Sequence, residues 1–185
     1  MVAIANTWST IIRWYNDNGA AITMGAPAST ADVKLLEGKI GLQLPRDVKE
    51  SYLVYDGSKG SAIFPNGYYL LTLAEIAKEH AIWTELLRKK SFAKSIAKPS
   101  GPIKLAWWNE KWIPVTASGG GDHDCIDMDP APGGSIGQVI EFSHETGPLR
   151  VQSKSFSAWL TNFANDLKNG KYRYDDDSLT LLPIE

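Results

Sequence analysis

Between positions 118 and 142 the chain reads SGGGDHDCIDMDPAPGGSIGQVIEF, and no other stretch constrains the fold as tightly. It holds three consecutive glycines, four aspartates within eight positions and the only cysteine of the 185 residues. A period of two runs through it twice. Ile126 and Met128 alternate with Cys125 and Asp127, and Ile140 and Phe142 alternate with Val139 and Glu141, as in strands with two unlike faces. Between the two runs, DPAPGGSIG supplies the proline and glycine of a turn. The glycine triplet lets the backbone bend sharply where the first strand begins. The spacing predicts a β-hairpin, with Ile126 and Met128 toward the core and Cys125 and Asp127 facing away or lining a shallow surface.

The same residues invite chemical readings, and each fails on spacing or context. An EF-hand loop needs oxygen ligands at its first, third and fifth positions and glycine at its sixth. Counting from Asp122 puts Ile126 at the fifth, and counting from Asp127 puts Pro132 at the sixth. Asp127-Met128-Asp129 forms a D-x-D tripeptide without the nucleotide-binding βα context that gives it meaning. His123 and Cys125 are half of a zinc set. The triple glycine precedes a strand, whereas phosphate loops precede a helix. Cys125 with His144 from a neighbouring strand would suit a nucleophile and its base, but a lone strand cysteine more commonly packs as a small hydrophobe. No catalytic residue, metal or cofactor is expected.

Elsewhere local signals mark helices. Trp8, Ile11, Ile12 and Tyr15 form one apolar stripe ending at Asn18-Gly19. Ser29 and Asp32 resemble a capping box with Asp in place of Glu, opening a helix that carries Val33, Leu36 and Ile40 and stops at Gly41. Pro45 suits a first helical position, Leu44 can staple onto Val48, and Tyr52 and Tyr55 continue that face to Gly57. Ser61 to Phe64 and Tyr68 to Leu71 flank Pro65-Asn66-Gly67 and read as a second hairpin. Thr72 and Glu75 make a full capping box before a helix through Ile76, His80, Trp83 and Leu87. Positions 91 to 106 are an unpatterned loop. KWIPVTA reads as a strand at an edge or bulge, because Pro114 cannot donate to a ladder. Pro148 to Gln152 allow one more strand, and Phe156, Trp159, Leu160, Phe163 and Leu167 stripe a last helix. The acidic tail from 173 to 185 is either loose or docked through Leu181 and Leu182.

Composition sets the outer limits. A hydrophobic fraction of 43% and a charged fraction of 22% are those of a globular chain. No apolar run approaches the roughly 20 residues that would span a bilayer. The N-terminus lacks a signal-peptide pattern, and one cysteine cannot close an internal disulfide, so a soluble cytoplasmic protein is expected. The net charge of −2 is unevenly placed. Thr84 to Lys111 holds seven basic and two acidic residues, so the rest of the chain is acidic. An acidic body is a poor surface for nucleic acid and a good one for a basic protein.

LEGKIGLQLPRDVKESYLVYDG, WWNEKWIPVTASGGGDHDCIDMDPAPGGSIGQVIEF and SFSAWLTNFANDLKNGKY, in this order, resemble the bacterial branch of the SUKH superfamily, which is related to the fungal cell-wall assembly regulators. The resemblance is strongest over 29–172. It departs at Asp124, where an apolar residue is expected, and at Glu110, where proline is usual. Asp124 in that setting predicts a strand exposed at its start. The resemblance implies a single α+β domain over 1–185, with helices packed on a mainly antiparallel or mixed sheet and no agreed catalytic residues. It implies first an immunity protein that binds and neutralises a nuclease- or deaminase-type toxin. The alternative is a regulatory scaffold in cell-wall synthesis, and a metal- or nucleotide-dependent enzyme comes last. The residues expected to meet a basic protein partner are Trp107, Trp108, Trp112, Asp122, Asp124 and Asp127, tryptophan because it buries a large area on binding. At least one of Trp107 and Trp108 is expected in the core.

Overall fold

The computed structural model describes residues 2–184. Three helices come first: α1 (Val2–Asp17), α2 (Thr30–Ile40) and α3 (Arg46–Tyr52). A 3-10 turn over Pro65–Gly67 leads into β1 (Tyr69–Leu70) and α4 (Leu73–Arg88). Then come β2 (Trp112–Pro114), β3 (Thr116–Ala117), β4 (His123–Asp127), β5 (Gln138–Ser143) and β6 (Gly147–Ser153). Helix α5 (Phe156–Lys168) and a hairpin of β7 (Tyr172–Asp175) and β8 (Thr180–Pro183) complete an α+β architecture. Among the described residues, no helix is long and apolar enough to cross a membrane.

The helix ends follow their local chemistry. The Ser29 hydroxyl accepts from the Asp32 amide at 3.1 Å and the Asp32 carboxylate accepts from the Ser29 amide at 2.9 Å, a complete box with Asp in the Glu role. Thr72 and Glu75 repeat it at the start of α4. Gly41 ends α2 in the left-handed region at φ 70°. Pro45 stands one residue ahead of α3, as its cap. That helix also stops at Tyr52 and does not reach Gly57. The chain beyond it bonds sideways instead, with Asp56 N donating to Ala26 O and Gly25 N to Gly57 O. Gly57 is required there: its φ is 79° and a Cβ would lie 2.6 Å from Thr72 Cγ2.

The expected hairpin around Asn66-Gly67 shrinks to a single bridge between Phe64 and Tyr68. Both turn residues do take positive φ. The strand after the turn, β1, pairs with β3 instead. The Ile63 carbonyl is meanwhile used by the Tyr15 hydroxyl at 2.8 Å, so the first arm is tied to α1.

The main sheet is antiparallel throughout, in the order β2-β4-β5-β6. Pro114 lies on the edge strand β2, where a missing N–H is tolerated. The acidic stretch is the central hairpin of this sheet, with Cys125 opposite Ile140 and Ile126 opposite Val139. Its faces differ in their cover. On one, Ile113, Ile126 and Val139 pack with Trp8, Ile11, Phe156, Leu160 and Leu167 of α1 and α5. On the other, Trp112, Cys125, Ile140 and Phe142 pack under Trp83 of α4 and under Ile103 and Trp108 of the irregular segment before β2.

That second layer overturns one expectation. Cys125 and Asp127 do not face away from the core; both have no exposed surface, because the unpatterned segment folds over them. The tail docks through Leu181, 1% exposed, with the Tyr174 ring 6.0 Å from Tyr15.

Candidate functional site

Each acidic residue of the hairpin has a defined position. Asp127 Oδ1 accepts from Trp112 Nε1 at 3.0 Å and from Asp129 N at 2.9 Å, and its Oδ2 accepts from Gln138 Nε2 at 2.9 Å. Burial pushes its carboxyl above the usual range, and these donors oppose that. Asp129 joins Lys104 Nζ at 2.6 Å and accepts from Asn109 Nδ2 at 3.1 Å. The D-x-D pair therefore fastens the segment before β2 onto the hairpin's turn. Asp122 accepts from the amide and the ring Nδ1 of His144, at 2.9 and 2.8 Å, joining the glycine turn to the β5–β6 turn. Partial burial would raise its carboxyl, but the His144 bonds hold it below the usual range.

The candidate nucleophile and its neighbours are likewise structural. Cys125 is buried, and burial, with Asp124 and Asp127 nearby, pushes its thiol well up. His123 Nδ1 lies 2.7 Å from the Thr116 carbonyl and so donates to it, while Nε2 accepts from Trp83 Nε1 at 3.0 Å. That leaves a neutral ring in one tautomer, and burial keeps its pKa low. Among the described residues no three His, Cys, Asp or Glu side chains gather as a metal would need.

The six residues expected at a partner surface divide. Trp112 is wholly buried, and Trp108 is 1% exposed and stacked 5.5 Å from Trp83. Asp127 is enclosed as described, and Asp124 is only 6% exposed. The prediction of an exposed strand start at Asp124 is thus corrected: its carboxyl is held inside, between the side chains of Thr116 and Gln152. Trp107, half-buried and stacked on Phe92 at 6.0 Å, and Asp122 keep access to solvent.

One cleft stands out, with a volume of about 450 Å³. It opens over the outer part of the sheet face that packs on α1 and α5, where the side chains turn from apolar to charged. Register places Asp124 opposite Glu141, and Glu141 opposite Arg150. Asp124 accepts from Thr116 Oγ1 at 3.0 Å and from Gln152 Nε2, and Gln152 Oε1 accepts from Trp159 Nε1 at 2.8 Å. Burial raises the Asp124 carboxyl to about 7, with Thr116 and Gln152 opposing and Glu141 adding to the rise. Tyr68, Phe163 and Tyr172 wall the cleft, and Asp166 of α5 stands across it. The Tyr68 hydroxyl is pushed up by burial and by the carboxylates Asp124, Asp122 and Glu141.

Sequence reasoning reached Asp124 but missed Glu141, Arg150, Gln152 and Asp166 as companions. The available signal was Glu141 itself, a carboxylate on the same strand face as Val139.

A family model described as the SMI1 / KNR4 family (SUKH-1) matches residues 27–162, which include most of the cleft. The chain is similar to "Cell wall biosynthesis/cell cycle regulator smi1" of Schizosaccharomyces pombe, 29% identical over 197 residues, covering 96% of this chain and 39% of that protein. It is similar to the "Glucan synthesis regulatory protein" of Neurospora crassa, at 24% over 215 residues, 95% of this chain and 40% of the relative. It is similar also to "Cell wall assembly regulator SMI1" of Saccharomyces cerevisiae, at 23% over 212 residues, 92% of this chain and 42% of the relative. The chain thus spans about two-fifths of the length of these curated relatives.

Proposed function

The chain belongs to the SMI1 / KNR4 family (SUKH-1), and from that membership we propose that it is a regulatory protein-binding domain of cell-wall synthesis, acting without chemistry of its own. The observation that carries this reading is the naming of the relatives, which are regulators of cell-wall assembly, cell-wall biosynthesis and glucan synthesis. Those names support the regulatory alternative over the immunity role that came first from sequence. The structure adds a physical reason. The residues that could have made an active site are engaged in holding the fold: Asp127 on Trp112 and Gln138, Asp122 on His144, and His123 between Thr116 and Trp83. The mostly acidic body favours a basic partner over nucleic acid.

The test is affinity capture from native lysate with the tagged chain, followed by binding of the recovered proteins in purified form. Enrichment of proteins of cell-wall synthesis supports the reading. Capture of a toxin domain, with rescue of growth on co-expression, would replace it with immunity.

A further inference from the structure

The floor of the cleft carries a charge arrangement that packing alone does not call for. Asp124, Glu141 and Arg150 form one row across β4, β5 and β6. Like charges directly opposite each other in a sheet are destabilising, and Asp124 answers by holding its proton up to about pH 7, with Glu141 adding to the rise that burial begins. Here one of the two carboxylates is also almost fully buried. Two residues along, the same face holds the apolar pair Ile126 and Val139, which shows what suits a sheet under helices.

The two carboxylates are held differently. Asp124 is fixed between Thr116 and Gln152, and Gln152 is itself fixed by Trp159. Glu141 is looser: its Oε2 is closed off from solvent and forms no aligned hydrogen bond. Its close cation is Arg150, with Nη2 at 2.9 Å, an ion pair without hydrogen-bond alignment. The Arg150 side chain is 68% exposed, so it is free to swing into solvent, and a second guanidinium entering as it leaves keeps the enclosed Glu141 oxygen paired. Across the opening, Asp166 adds a third carboxylate, shared with Lys171 at 2.7 Å. The walls are aromatic: Tyr68, Trp159, Phe163 and Tyr172. Carboxylates below and π faces beside them suit a planar cation, and would repel a phosphate or an acidic peptide. The volume of about 450 Å³ falls within the roughly 300–1,000 Å³ of ligand-sized clefts.

Resting on the reading of this chain as a protein-binding domain, we propose that the cleft is the partner's docking site and that it receives an arginine side chain of a basic segment, which takes the place of Arg150 on Glu141. Arg150 then acts as an internal plug, occupying the site with the same chemistry as the incoming group.

The experiment titrates the full chain with the capped peptide Gly-Arg-Gly-Arg-Gly and, separately, Gly-Glu-Gly-Glu-Gly, read by NMR at the Trp159 indole N–H and the Gln152 side-chain amide. The arginine peptide is expected to shift both signals, and the glutamate peptide neither. Glu141→Gln should weaken the arginine peptide about tenfold, and Arg150→Gln, which removes the plug, should tighten it about threefold. Glu85→Gln makes the same charge change outside the cleft, beside Lys89, and should leave affinity unchanged. The opposite signs of the two cleft variants separate the effect from misfolding. Shifts confined to residues outside the cleft, or equal affinity for wild type and Glu141→Gln, would overturn the proposal. Capture of cell-wall proteins without any response of the cleft to arginine would leave the regulatory reading standing and remove this one. A responding cleft with no cell-wall protein captured would do the reverse.

Discussion

Asp124 and His123 are adjacent in sequence, point to opposite faces of the sheet, and respond to pH in opposite directions. The Asp124 carboxyl rises from 3.8 to about 7 on folding, so the folded chain keeps a proton that the unfolded chain releases. Its contribution to stability is complete below about pH 4 and is lost as pH climbs through about 7. His123 is shifted down from 6.5, so the unfolded chain takes up a proton that the folded chain refuses, and stability falls as pH drops below about 6.5. Asp124→Asn removes the first effect while an amide can still bond Gln152 and Thr116. Relative to wild type, its unfolding free energy in urea should gain up to about 4 kcal/mol between pH 4 and pH 8; parallel pH profiles would contradict this. Cys125 gives a simpler check at the same scale. With no exposed surface and a raised thiol pKa, it should resist a thiol reagent in the native state and react at once in denaturant.

Among the elements, what could be read from sequence was whatever the chain encodes locally. The Ser29–Asp32 and Thr72–Glu75 boxes and the glycine after α2 are decided within four residues, and the structure has them where expected. Thr72→Ala should cost about 1 kcal/mol, measured by thermal or urea unfolding. The central hairpin was also legible, because its period of two is local. What was not legible depended on distant partners. Tyr69 and Leu70 pair with β3, some 47 positions on, rather than with the arm beside them. The hairpin's second face is covered by a segment with no period to reveal it, so Cys125 and Asp127 looked exposed. The Asp127 fastening is where this matters energetically. Asp127→Ala orphans donors from Trp112, Gln138 and Asp129 and should cost about 3 kcal/mol or more, read from the urea midpoint, whereas Asp129→Ala at the surface should cost far less.

At the scale of the whole molecule, the cleft was the least legible feature. Its lining comes from the Pro65–Gly67 turn, three strands, α5 and β7, segments spread over about a hundred positions. The one hint was Asp124 breaking an apolar pattern; sequence offered exposure as the explanation, and the structure shows a carboxylate sealed into a charged row. The tail belongs to the same assembly, since Tyr172 walls the cleft and Leu181 closes the core beside α1. Leu181→Ala should therefore destabilise the chain by about 2–5 kcal/mol, measured by unfolding.

If the molecule works by holding another protein at this cleft, neutralising Glu141 must release that protein. Quantitative capture from native lysate on two baits, wild type and Glu141→Gln, decides between the outcomes. The predicted result is a set of cell-wall synthesis proteins enriched on the wild-type bait and depleted on the variant. Equal recovery of the same proteins on both baits would contradict it.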